Sequence, residues 1–92
     1  MKAEDILKGK VKHMGALSAL FCFDMVDGCV YLIAMVADFD TSQIKCTCSL
    51  KLDHDAKELG TVYFPAKFGI NRDTANEAMA LFLTKMEGQT DK

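Results

Sequence analysis

The chain lacks long hydrophobic runs, a surplus of positive charge, internal repeats and low-complexity segments, and it has a single proline. Its longest apolar stretch, Cys29 to Ala37, spans nine residues, too few to cross a bilayer as a helix. Eleven Lys and Arg against thirteen Asp and Glu leave a net charge of −2. That is the wrong sign for a domain that holds nucleic acid by overall electrostatics, because phosphate neutralisation is the main source of such affinity, so only a local basic patch is left for that role. The opening residues MKAEDILKGK carry two acids before any long apolar segment and have no hydrophobic centre of a secretory signal. The expectation is an intracellular protein, cytoplasmic or nuclear, with no membrane partner. Ninety-two residues form one domain, 1–92, with frayed ends at 1–5 and 88–92.

What is present is mostly pattern. From Gln43 to Asp53 the chain alternates without a break: Ile44, Cys46, Cys48, Leu50 and Leu52 fall on one side, Lys45, Thr47, Ser49 and Lys51 on the other. A period of two predicts a strand with one face on a core and the other facing water or a partner. Residues 61 to 68 repeat it, with Val62, Phe64, Ala66 and Phe68 inward and Thr61, Tyr63, Pro65 and Lys67 outward. Pro65 removes a ladder donor, which places this strand at a sheet edge. Residues 29 to 39 are β-rich and apolar on both sides, so both faces of that strand need cover. Asp53 to Gly60 reads as a loop. Asn71 predicts a helix N-cap with Asp73 in the first turn, followed by a helix to about Glu87 that buries Ala75, Ala78, Met79, Phe82 and Met86 and is stopped by Gly88.

The N-terminal third carries two readings. Leu7, Val11, Met14, Leu17, Phe21 and Met25 recur at spacings of three and four, one face of a helix. No β-branched residue occurs from Lys12 to Met25, which favours a helix over at least residues 11 to 24. The opposing reading makes residues 19 to 26 a strand, turned by Asp27 and Gly28 into the next. With the helix, the fold class is α+β in the order α-β-β-β-α, a three-stranded antiparallel sheet with two helices packed on one face.

On this pattern the segment GINRDTANEAMALFLTKM from Gly69, with Ala75, Met79 and Ala80 at small packing positions, and the strand QIKCTCSL resemble a double-stranded-RNA-binding domain. The likeness runs from about Val11 to Glu87. It implies the same α-β-β-β-α fold. The family's RNA contacts are thinned here: Arg72, Asp73 and Asn76 stand where RNA-binding members carry a lysine cluster, and its glycine-proline-histidine loop has no counterpart between Phe39 and Gln43. Lys8, Lys10, Lys12 and His13, on the expected first helix, with Arg72, are the remaining RNA-binding candidates. The chain is similar to non-RNA-binding members that grip proteins or dimerise, in RNA-silencing or RNA-processing complexes.

Four cysteines, Cys22, Cys29, Cys46 and Cys48, lie in apolar surroundings and read as reduced core thiols. Cys46 and Cys48, two apart on one strand face, are too far apart to bridge each other. With His54 and Cys22, Cys29 or His13 they make a poor zinc set, because a CxC on a strand does not converge. Asp53, His54 and Asp55 read as an exposed polar turn. No catalytic, metal or cofactor constellation is expected, and the chain is not read as an enzyme.

The surplus of apolar residues on the first predicted strand points elsewhere. Two helices cover one sheet face, so either Tyr31, Ile33 and Met35 or Val30, Leu32 and Val36 face away from them. Tyr31, Ile33 and Met35, with Tyr63 and Lys67 of the edge strand, are the partner-binding candidates. The leading function is therefore a non-catalytic protein-binding or dimerising module, with a protein partner or homodimer and weakened RNA binding. The alternatives are direct binding of double-stranded RNA and, if residues 19 to 26 form a strand, a small lipid- or ligand-binding domain.

Overall fold

Residues 9–24, 30–52 and 55–90 are described by the computed structural model. They form a five-stranded antiparallel meander, β1 (Lys10–Met14), β2 (Ser18–Asp24), β3 (Val30–Asp38), β4 (Gln43–Leu52) and β5 (Asp55–Pro65), in the spatial order β1-β2-β3-β4-β5. A 3-10 turn (Ala66–Phe68) leads to the one α-helix among the described residues, α1 (Arg72–Thr90), which packs on one sheet face.

This corrects the expected three strands and two helices. Residues 18 to 24 belong to the sheet, paired along their whole length with β3, and residues 10 to 14 form a further strand beside them. Val11, Met14 and Leu17 are all exposed, so their helical spacing marks no buried stripe. The decisive signal is the alternation Ala19, Phe21, Phe23, each buried, which lies on the helix side of β2. The pairing of β2 along one edge of β3, with Ala19, Phe21 and Phe23 buried under α1, outweighs the helical preference of the local sequence. The α-β-β-β-α order implied by the resemblance is therefore not the order of this chain.

Three smaller expectations also change. The expected loop from Asp53 includes Asp55 to Gly60, which form the first half of β5, paired to β4 from Leu52 to Cys48. The strand then ends at Pro65, and Ala66 and Phe68 are exposed in the 3-10 turn rather than inward. Gly88 does not stop α1, which runs to Thr90; one glycine costs a helix about 1 kcal/mol against alanine, not enough to end it. Lys8, Cys29, Asp53 and His54, and the side chains of Leu52 and Met86, lie outside the described residues.

The strand from Gln43 has the expected faces, with Ile44, Cys46 and Cys48 buried. They meet Phe21, Ile33 and Met35 from the sheet and Ala75, Ala78, Met79 and Phe82 from α1, at the i, i+3, i+4, i+7 spacing of one helix face. Alanine at two of these positions lets the helix axis approach the sheet closely. Its start is fixed by Asn71, whose Oδ1 accepts from the Thr74 N–H at 2.9 Å while its Nδ2 donates to the Phe68 carbonyl at 2.8 Å. Such a cap contributes about 1 kcal/mol. Gly69, at φ 76°, makes the reversal before it in a conformation that side chains resist.

A candidate docking face

The register of the ladders sorts every strand residue onto one of two faces. Toward α1 lie Ala19, Phe21, Phe23, Tyr31, Ile33, Met35, Ile44, Cys46, Cys48 and Phe64, all buried. Away from it lie cross-strand rows that can be followed residue by residue. One runs Asp24, Val30, Lys51, Ala56; the next Lys10, Cys22, Leu32, Ser49, Glu58; then His13, Leu20, Ala34, Thr47, Thr61; then Ser18, Val36, Lys45, Tyr63.

The middle of this open face is apolar. Val30, Leu32, Ala34 and Val36 follow one another along β3, flanked by Leu20 and Cys22 on β2. Val36 is 49% exposed, Ala34 is exposed, and Leu20, Val30 and Leu32 are half-buried. From Val30 to Val36 the strip is roughly 20 Å long at the rise of a strand. At the Val36 end Phe39 of the β3–β4 turn, 73% exposed, borders a hollow with Val36 and Lys45, and Tyr63, 54% exposed, lies beyond Lys45 in the same row. The β1–β2 turn closes the same end, with the Ala37 N–H donating to the Leu17 carbonyl at 2.9 Å.

Charges border the strip. Lys10 and Lys12 stand on the β1 side, Lys45 and Lys51 on the β4 side, and a concavity of about 480 Å³ between Lys12 and Lys51 has Leu20, Cys22, Asp24, Val30 and Leu32 around it. Lys10 Nζ lies 3.8 Å from Asp24 Oδ2, both side chains exposed. The Cys22 Sγ–H donates to Asp24 Oδ1 at 3.4 Å. Burial raises the Cys22 pKa first, followed by that hydrogen bond and the Asp24 charge, against a lowering pull from Lys12 and Lys10. On the helix side, burial alone pushes the Cys46 and Cys48 thiols up to about 12 and about 11. Cys22, Cys46 and Cys48 are free thiols. Among the described residues no three His, Cys, Asp or Glu side chains converge as a metal site.

The candidates divide accordingly. Tyr31, Ile33 and Met35, 8%, 0% and 0% exposed, sit in the core under α1, so the apolar row left for a partner is Val30, Leu32 and Val36. The alternation of β3 names both rows, and only the side taken by the helix decides between them. Tyr63 does lie on the open face, in edge strand β5. Lys67 is in the 3-10 turn past the end of the sheet, 6.0 Å from the Phe68 ring centre. Lys10, Lys12 and His13 are on edge strand β1 rather than on a helix, and Arg72 begins α1 in the other layer. The RNA candidates that are described therefore form no single patch. Leu20, Cys22, Asp24 and Lys51 belong to the face as well; the first three were hidden by reading their segment as helix. Among the described residues no helix is long and apolar enough to cross a membrane. Searches of protein-family models, of curated proteins and of solved structures returned no match to this chain.

Proposed function

We propose that the chain is a non-catalytic interaction module that docks protein on the sheet face opposite α1. One observation carries the reading: a strip of Leu20, Val30, Leu32, Ala34 and Val36 lies on the sheet face that α1 leaves uncovered, with Ala34 and Val36 exposed and the other three half-buried. A domain this small gains stability from every apolar side chain it buries. A largely aliphatic row left on this face, with exposed Phe39 near its Val36 end, marks a contact surface. The proposal rests on this face and not on the resemblance to RNA-binding domains.

A photo-reactive side chain placed at Val36, with a control at exposed Leu81 on the outside of α1, tests it. Protein adducts at position 36 that exceed those at position 81 are expected. Equal or absent cross-linking at the two positions contradicts the reading.

A second reading is favoured by the concavity between Lys12 and Lys51, whose apolar floor and cationic sides suit a small amphiphile with an anionic head. A fluorescent acyl carboxylate should then bind saturably, one per chain, and lose binding in Leu32→Asp. Non-saturable or mutation-insensitive fluorescence removes it.

A further inference from the structure

The open face carries its charges in an order that matches itself when turned over. Take a two-fold axis that lies between two copies and runs along β3. Such an axis keeps each cross-strand row level and exchanges the two sides of β3, so β2 of one copy stacks over β4 of the other and β1 over β5. In the first row, Asp24 then lies over Lys51 of the second copy, with Val30 over Val30 between the two symmetric pairs. In the next row, Lys10 lies over Glu58 and Leu32 over Leu32. Val36 closes the far end over its own mate.

The other in-plane axis, across the strands, gives the opposite result. It reverses the order of the rows and keeps each strand over itself, which stacks Lys51 on Lys45 and brings the Lys10 row onto the Lys12 and His13 end of β1. Like charges then meet at both flanks. The face thus favours one arrangement and opposes its nearest competitor, which is how a symmetric interface acquires a single geometry.

We infer that the occupant of the open face is a second copy of this chain, packed face to face about a two-fold axis along β3 and locked by reciprocal Asp24–Lys51 pairs around the Val30, Leu32 and Val36 row. This rests on the interaction reading above and gives it a partner. Stacked sheets of this kind lie about 10 Å apart and cross at roughly 30°, within the combined reach of an aspartate and a lysine. The crossing displaces residues more the farther they are from the axis, so Asp24 and Lys51, on strands next to β3, are the pair it disturbs least. The Lys10–Glu58 pairs, two strands out, are secondary. A face one sheet wide is at the small end of specific interfaces, so association in the micromolar range is expected.

Sedimentation equilibrium from roughly 5 to 500 µM, the concentrations at which such affinities are read, tests the arrangement with charge reversals. The wild type should approach twice the chain mass of 10.2 kDa. Asp24→Lys and Lys51→Asp should each weaken self-association by about tenfold or more, since like charges replace opposite ones at two symmetric places. Mixing the two variants should restore an affinity close to the wild type's that neither shows alone, and the double variant in one chain should restore the homodimer. Both residues are surface-exposed and circular dichroism should show each variant folded. A wild type that is monomeric throughout the range, or variants that fail to rescue each other, would overturn the second-copy assignment. Cross-linking at position 36 to a different protein, with a monomeric wild type, would leave the interaction reading standing and remove only the dimer.

Discussion

Asp24 and Lys51 stand in one cross-strand row, on opposite sides of Val30 and two strands apart. Neighbouring strands lie about 4.8 Å apart, so roughly 10 Å separates them, too far for a short ion pair within the chain. Asp24 is instead paired to Lys10 at 3.8 Å, and among the described residues Lys51 has no salt bridge of its own. In this row opposite charges flank an apolar centre, a polarity confined to the row, since lysines border the face on both sides.

That polarity predicts a salt dependence. If rim charges steady an apolar contact, raising ionic strength screens them and loosens self-association, by about three- to tenfold for two exposed pairs. Analytical ultracentrifugation at low and high sodium chloride reads this directly. Tighter association in high salt would mean that burial of the apolar strip alone holds the copies, and the reciprocal charge pairs would be discarded.

Neighbouring residues on β3 should respond in opposite ways to the same substitution. Leu32 faces the open side and Ile33 is 0% exposed beneath α1. Leu32→Asp, at a half-buried position, should cost the monomer about 1 to 2 kcal/mol, leave the fold in place and abolish association. Ile33→Asp buries a carboxylate without a partner and removes core packing, a loss of about 4 kcal/mol or more that should unfold the domain. Urea melts of the two variants check it. Similar losses for both would place the faces wrongly.

The buried thiols predict alkaline sensitivity. Cys46 and Cys48 titrate near 9 when exposed and at about 12 and about 11 in the folded chain, because burial disfavours the thiolate. A raised folded pKa means stability that is whole below pH 9 and declines as pH climbs toward the folded values. Between pH 9 and 11 each thiol that stays protonated only in the fold contributes a slope of about 1.4 kcal/mol per pH unit. Denaturation midpoints across that window should fall, and fall less steeply in Cys46→Ala. Rapid alkylation of both thiols in native protein at neutral pH would contradict the burial that drives this.

Much of the sheet was legible in the sequence and the first strands were not, for a definable reason. Residues 43 to 52 alternate polar and apolar side chains without interruption, and one covered face then follows. Asn71 and the Ala75, Ala78, Met79, Phe82 spacing likewise name their helix. In residues 10 to 24 apolar side chains are dense enough to satisfy a period of 3.6 and a period of two together. Which period wins depends on β3, which offers β2 seven paired positions and, among the described residues, has no other strand for that edge. Gly9 carries a similar lesson: a Cβ there would come within 2.6 Å of the Phe23 ring, a close approach between segments that local pattern does not reveal. The open face was legible as a surplus of apolar residues on β3; which of its two rows remained outside depended on where α1 settled.

In solution the sheet face opposite α1 is covered by a second copy or it is bare. A dilution series followed by amide chemical shifts, from roughly 500 to 10 µM to bracket a micromolar association, asks this residue by residue. Concentration-dependent shifts confined to Lys10, Leu20, Cys22, Asp24, Val30 to Val36, Thr47 to Lys51 and Glu58, with α1 unchanged, are the predicted result. Shifts that are absent, or that gather on α1 or along the outer edge of β5, would contradict it.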